Sequence, residues 1–139
     1  MKYLYIAIFW TFVNSAYTQE DAKGFKKSFN LANKNYEIGN YYGALKMYNN
    51  LFIQDSTHKE LNFNMGVCHY NLQNYKQAEI HFKKSSSSVS LELFRYKASI
   101  AHINMKFKKA LNYYNAYKLI TGDKNISNDI IEAVQGSQR

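Results

Sequence analysis

The sequence predicts an all-α chain: a right-handed helical-repeat solenoid of three helix pairs closed by a C-terminal capping helix. The first observation is a recurring pattern in which an alanine has an aromatic residue three positions before it and another four positions after it. It occurs as Tyr41/Ala44/Tyr48, Tyr75/Ala78/Phe82 and Phe107/Ala110/Tyr114, and the alanines lie 34 and then 32 residues apart. A period of this length marks an array in which each unit buries its apolar face only against its neighbours. The second is the short break before each copy, at Gly39-Asn40, Gln73-Asn74 and Met105-Lys106. The third is composition. Proline is absent and glycine numbers only 6, while hydrophobic residues reach 46% and aromatics 17%, too apolar for a disordered chain.

The N-terminal segment reads as something other than a repeat. Met1-Lys2 supplies a positive start, Tyr3 to Val13 is an uncharged apolar run, and Asn14 to Thr18 is small and polar before Glu20-Asp21. That is the three-part layout of a secretory signal peptide over 1–18, with cleavage after Ser15 or after Thr18. Eleven apolar residues rise roughly 16 Å as a helix, about half the hydrocarbon thickness, which disfavours a stable span. An uncleaved anchor and a first buried helix are the alternatives. The expected destination is the periplasm or the exterior. Cys68 is the only cysteine, which excludes an internal disulfide and reads as a buried thiol.

Taking each alanine as the twentieth position of its unit, the repeats run over 25–58, 59–90 and 91–124, followed by a capping helix and tail at 125–139. Repeat one should hold helices at 21–38 and 41–54, broken where Gly39 and Asn40 tolerate a left-handed turn. Repeat two should hold 58–71 and 75–86. Thr57 is placed to cap its first helix, with Glu60 three residues on to complete a capping box. The serine run from Ser85 to Ser88 should end that repeat as a loop, because apolar spacing resumes at Val89, Leu91 and Leu93. Repeat three should hold 91–104 and 107–120, ending at Gly122. Ile126, Ile130, Ile131 and Val134 then form an apolar stripe on a helix of 126–135 that covers the open face of repeat three. In each pair the alanine should sit where the second helix crosses the first, with Tyr48, Phe82 and Tyr114 filling the space beside it.

The three copies, read in full as Gly39-Asn40-Tyr41-Tyr42-Gly43-Ala44-Leu45, Gln73-Asn74-Tyr75-Lys76-Gln77-Ala78-Glu79 and Met105-Lys106-Phe107-Lys108-Lys109-Ala110-Leu111, resemble the tetratricopeptide (TPR) repeat family over 25–124. Leu31-Ala32, Met65-Gly66 and Lys97-Ala98 match the large-small pair of the family's first helix, with Lys97 replacing the apolar member. No copy has the consensus tryptophan, and Ser56 and Ser90 stand where a proline often ends the repeat. More loosely, Asn64 to Tyr70 and Phe107 to Tyr114 look like the repeat region that precedes OmpA-like domains in some bacterial envelope proteins.

The family resemblance implies a scaffold that binds a protein or peptide partner in a concave groove lined by the first helices. In this register the groove takes Phe29, Asn33 and Tyr36, then Phe63, Asn64, Val67 and Tyr70, then Arg95, Tyr96, Ser99 and His102. Asn33 and Asn64 match a carboxylate clamp used by some members. Phe29 and Glu92 occupy positions where that clamp has lysines, and Arg95 is displaced by one.

Lysine and arginine outnumber acidic residues by 18 to 10, giving a net charge of +8, and Arg95 and Arg139 are the only arginines. Lysines spread along the repeat helices suit acidic peptides or an anionic membrane surface, whereas specific nucleic-acid readers concentrate arginine on one face. The four histidines lack metal-binding spacing, and neither a phosphate-cradling glycine loop nor a nucleophile elbow is present. Neither enzymatic activity nor a cofactor is expected. Two other functions compete with the peptide scaffold: an assembly subunit that packs its solenoid edge on another chain, and lysine-driven binding to anionic lipid.

Overall fold

A computed structural model describes residues 21–85, 91–122 and 127–136; the signal-like segment at 1–18 and Ser86 to Ser90 lie outside the described residues. The described residues form seven helices and no strand: α1 (21–37), α2 (Tyr41–Gln54), α3 (Lys59–Asn71), α4 (Tyr75–Lys84), α5 (Glu92–Ile103), α6 (Phe107–Thr121) and α7 (Ser127–Gly136). These ranges fall within two residues of those read from the sequence. The architecture is a solenoid of helix pairs: α3 packs along α4, α5 along α6, and α7 against α6. None of the described helices is long and apolar enough to cross a membrane.

The turn inside each pair is the same structure built three times. Gly39, Gln73 and Met105 adopt φ of +77°, +60° and +57°. In each, the next residue reaches back five positions: the amides of Asn40, Asn74 and Lys106 donate to the carbonyls of Asn35, His69 and Ala101 at 2.9, 2.8 and 2.8 Å. A left-handed residue with this back-bond is the Schellman closure of a helix end, satisfying carbonyls that would otherwise lack partners. Asn40 then caps α2, its Oδ1 accepting from the Gly43 amide at 3.1 Å. A Cβ at Gly43 would crowd that folded-back side-chain amide, which would have to swing aside to admit it.

One cap differs from the sequence expectation. The residue capping α3 is His58, whose Nδ1 accepts from the Leu61 amide at 3.1 Å. Thr57 is drawn away because its amide and hydroxyl both donate to Asp55 Oδ1, at 2.9 and 2.7 Å. An Asx turn outcompetes the capping box here. Glu60 remains in the first turn, where a negative charge suits the helix dipole.

The core lies at the crossings. Ala32, Ala44, Ala78, Ala98 and Ala110 are fully buried, as are Tyr48 and Phe82, and Tyr114 is nearly so. Close approach of α3 and α4 depends on Gly66: a Cβ there would lie 2.6 Å from two carbons of the Phe82 ring. At the C-terminal end Ile130 of α7 joins the cluster of Ala98, Ala101, Ala110, Tyr114 and Tyr117, whereas Ile131 stays half exposed. Of the two adjacent isoleucines of the stripe, Ile130 is the one that packs on repeat three; Ile126 and the side chain of Val134 lie outside the described residues.

Candidate functional site

The side chains expected in the groove divide into three groups. Phe29 and Val67 belong to the core instead. Phe29 is packed with Tyr48 and His58, ring centroids at 5.9 and 5.4 Å, and Val67 joins Phe82, Leu93 and Ile100. Both face α2 or α4 and α5 because the apolar faces of α1 and α3 are wider than the large-small pair alone; Leu31, the large member in α1, is itself half exposed.

The second group is occupied with internal bonds. Tyr48 donates to Asn33 Oδ1 at 2.6 Å, and Asn64 Nδ2 reaches both Asn33 Oδ1 at 3.2 Å and the Tyr48 hydroxyl at 3.4 Å. This network ties α1, α2 and α3 together, and burial pushes the Tyr48 phenol well above its ordinary pKa. In α5, Ser99 Oγ lies 3.5 Å from the Tyr114 hydroxyl, and His102 packs against Phe107 and Tyr114. The two asparagines that matched a clamp, like Ser99 and His102, brace helices.

The third group forms a continuous aromatic surface. Tyr96 sits at its centre, with ring centroids 5.0 Å from Tyr70, 6.2 Å from Phe63 and 5.4 Å from Phe82 beneath. Tyr36 stands beside it, packed edge-on to Tyr41. These rings are half buried. Burial, with Tyr96 as the nearest electrostatic neighbour, pushes the Tyr36 phenol up to about 12, and burial raises Tyr96 too, so both hydroxyls stay protonated at neutral pH. The guanidinium of Arg95 lies 5.5 Å from the Tyr96 ring centre and its Nε donates to Glu92 Oε2 at 3.0 Å. Glu92 also accepts from the Tyr117 hydroxyl at 3.2 Å. Sequence reading did not find this Glu92–Arg95–Tyr117 group, although the spacing of three between Glu92 and Arg95 was its signal.

The surface therefore offers ring faces, neutral phenol hydroxyls and one guanidinium held by a carboxylate, a set that stacks on side chains and hydrogen-bonds peptide groups. Cys68 offers no accessible thiolate: it is fully buried and burial raises its thiol to about 12. Among the described residues no cluster of three or more His, Cys, Asp or Glu could hold a metal ion.

A family model described as intraflagellar transport protein 56 matches residues 28–131. No curated protein matches the chain by sequence. Several solved structures share its fold. The first TPR domain of Spaghetti (RPAP3) bound to the HSP90 peptide SRMEEVD is 14% identical, with a TM-score of 0.71 over 83% of this chain and 94% of that one. The TPR2B domain of yeast Sti1 in a complex with Hsp70 is 14% identical, at 0.65 over 83% and 98%. The Yersinia enterocolitica type III secretion chaperone SycD with a peptide of the translocator YopD is also 14% identical, at 0.65 over 81% and 91%. At this identity the likeness shows a TPR fold.

Proposed function

The chain belongs to the intraflagellar transport protein 56 family, and we propose that it is a TPR scaffold that binds a peptide segment of a protein partner across the aromatic surface of α1, α3 and α5. The observation that carries this reading is the half-buried set Tyr36, Tyr70 and Tyr96 with Arg95 beside it. Rigid rings with polar tips are efficient anchors for a peptide. The matched domains from Spaghetti, Sti1 and SycD were each solved with a peptide or an Hsp70 partner, which supports peptide binding by the same fold.

The anchor differs from a carboxylate clamp. Glu92 already engages Arg95, and Asn33 and Asn64 are engaged with Tyr48. The bound segment is therefore held internally by ring stacking and hydrogen bonds, and its acidic residues meet Arg95. The test is a pull-down with the parent chain beside an Arg95→Ala/Tyr36→Ser variant whose thermal melt shows that it is folded. A partner enriched by the parent alone supports the groove; equal enrichment by both rejects it. Titration with SRMEEVD separates the two anchoring modes, and tight binding that depends on its terminal carboxylate would reject the internal mode.

Cell-envelope location is part of the same proposal and rests on the residue pattern of 1–18. Mass spectrometry of the secreted or periplasmic chain should find it shortened by 15 or 18 residues; a full-length cytoplasmic chain would reject export. The looser likeness to the repeat region of OmpA-like envelope proteins gains no support from the matches above. Assembly through the solenoid edge is favoured by one observation: Leu119, Ile120 and Ile131 are exposed near the C-terminal end, at 86%, 54% and 51%. A mass that rises with concentration and returns to monomer on Leu119→Lys would establish this second role.

A further inference from the structure

The second seam of the solenoid, where α4 meets α5 and α6, is open. A cleft of about 540 Å3 lies there, floored by Phe82, Ile100 and Tyr113 and edged by Lys76, Lys83 and Lys97. That volume lies within the range of ligand pockets. It is on a different seam from the Tyr36 end of the aromatic surface.

The repeat register explains the opening. Met65 and Lys97 hold the same position in successive first helices, and Leu45 and Glu79 the same position in successive second helices. In the first seam Met65 and Leu45 are buried together with Cys68, at 1%, 8% and 0% exposure. In the second seam both apolar residues are replaced by charged ones, and the matching space is a cleft. Glu79 is taken by Lys109 at 3.6 Å. Among the described residues Lys76, Lys83 and Lys97 have no carboxylate within ion-pair distance. Burial and the neighbouring Lys109 disfavour the charged form of Lys97, so an incoming anion would relieve it. A large apolar residue would have closed this seam at no electrostatic cost.

The geometry points to a second binding site, in which the α4–α5–α6 cleft takes an acidic linear segment of a partner protein, an apolar side chain seated on Phe82, Ile100 and Tyr113 and flanking carboxylates on Lys76, Lys83 and Lys97. Charge complementarity selects the occupant: the rim is cationic and the floor apolar, so the ligand carries both an apolar anchor and negative charge. The shape selects a peptide over a membrane. Lysines that ring a concavity converge on one inserted group, whereas a bilayer surface needs them projecting from a flat or convex face.

The experiment is fluorescence polarisation on the full chain with a labelled, amidated hexapeptide of two leucines flanked on each side by two glutamates. Replacing the glutamates by glutamine, or the leucines by serine, should weaken binding by about tenfold. Lys97→Gln should weaken it by a similar factor. Lys97→Met, which restores the residue type of the closed seam, should abolish binding while raising the melting temperature, separating loss of the site from loss of the fold. Lys118→Gln, a lysine of α6 outside the cleft lining, should change affinity by less than about twofold. Failure of the peptide to saturate, unchanged binding by Lys97→Met, or equal loss with Lys118→Gln would overturn the site. So would phosphatidylglycerol vesicles, rather than the peptide, being what Lys97→Met releases.

Discussion

The two seams between helix pairs use one backbone plan and reach opposite ends. At the first, α2 packs along α3, and the space between is filled by Met65, Leu45 and Cys68, with Asn33, Tyr48 and Asn64 bonded at one side. At the second, α4 meets α5 more sparsely, and Lys97 and Glu79 stand where the methionine and leucine would be. The difference teaches that a seam in a solenoid is an independent choice. Each unit needs contact with its neighbour to be stable, yet the contact needs only part of the available face. The remaining part can be closed for stability or left open for a ligand by two substitutions.

Exchanging the residue types across the seams should produce the largest effects, with opposite signs. Met65→Lys puts an ammonium at a site that is 1% exposed with no carboxylate beside it, and should destabilise the chain by about 3–5 kcal/mol. Lys97→Met buries an apolar chain on an apolar floor and should stabilise by about 1 kcal/mol. Urea unfolding midpoints read both. Comparable losses from the two variants would mean that Lys97 holds the second seam together and that the seams do not differ as described.

Acid should act on the first seam next. His81 is buried between Phe52 of α2 and His69 of α3, its ring stacked on His69 with centroids 5.3 Å apart. Asn62 donates its amide hydrogens to the Ser56 and His58 carbonyls, so its Oδ1 accepts from His81 Nδ1 at 3.0 Å. Burial, reinforced by His69 and Lys84, pushes His81 down to about 4, and burial lowers His69. The unfolded chain therefore binds more protons than the folded one below pH 6.5. Stability should be full above that pH, fall as pH drops towards 4, and lose on the order of 2 kcal/mol over the window. The equivalent position in the second seam is Tyr113, so no second histidine sits there. His81→Tyr or His81→Phe that still folds should flatten the profile, and an unchanged slope would remove the histidine pair as its source.

The hydroxyl one turn beyond each alanine gives a finer comparison. Tyr48 bonds Asn33 and Asn64, Tyr114 meets Ser99 at the longer distance of 3.5 Å, and Phe82 has no hydroxyl. Tyr48→Phe takes one bond from each of Asn33 and Asn64, which keep their own contact at 3.2 Å, and should cost about 1 kcal/mol. Tyr114→Phe should cost about 0.5 kcal/mol, given its weaker geometry. Equal losses would show that the Asn33–Tyr48–Asn64 network adds nothing beyond ring packing.

The helices and crossings were legible in the sequence because they are fixed by period and side-chain size. Ala44, Ala78 and Ala110 had to be small wherever the second helix crossed the first. The division of groove residues into lining and bracing was not legible. Asn33 and Asn64 look the same in sequence whether they face a ligand or Tyr48, and the choice depends on a tyrosine fifteen positions from one and sixteen from the other. Phe29 and Val67 were misplaced because a 3.6-residue period leaves the border of an apolar face open by one position. Lys97 was visible as a departure from the repeat pattern, but the cleft became visible only when its register partner Met65 was seen filling the same space.

The smallest effect tests whether the pairs are equivalent even at their turns. Gly39, Gln73 and Met105 hold the same left-handed position, with the same pair of back-bonds, yet only Gly39 does so without a Cβ. A side chain in this conformation is disfavoured by roughly 1 kcal/mol, while glycine gives back part of that through greater freedom in the unfolded chain. Both Gln73 and Met105 are exposed, so their side chains contribute little packing. Gln73→Gly and Met105→Gly should therefore each stabilise by about 0.5 kcal/mol, and Gly39→Ala should destabilise by about 1 kcal/mol. Because the turns are well separated and share no partner, the two gains should add. A gain at Gln73 with none at Met105 would mean that the third pair tolerates strain that the second does not, and would extend the difference between the seams to the turns themselves.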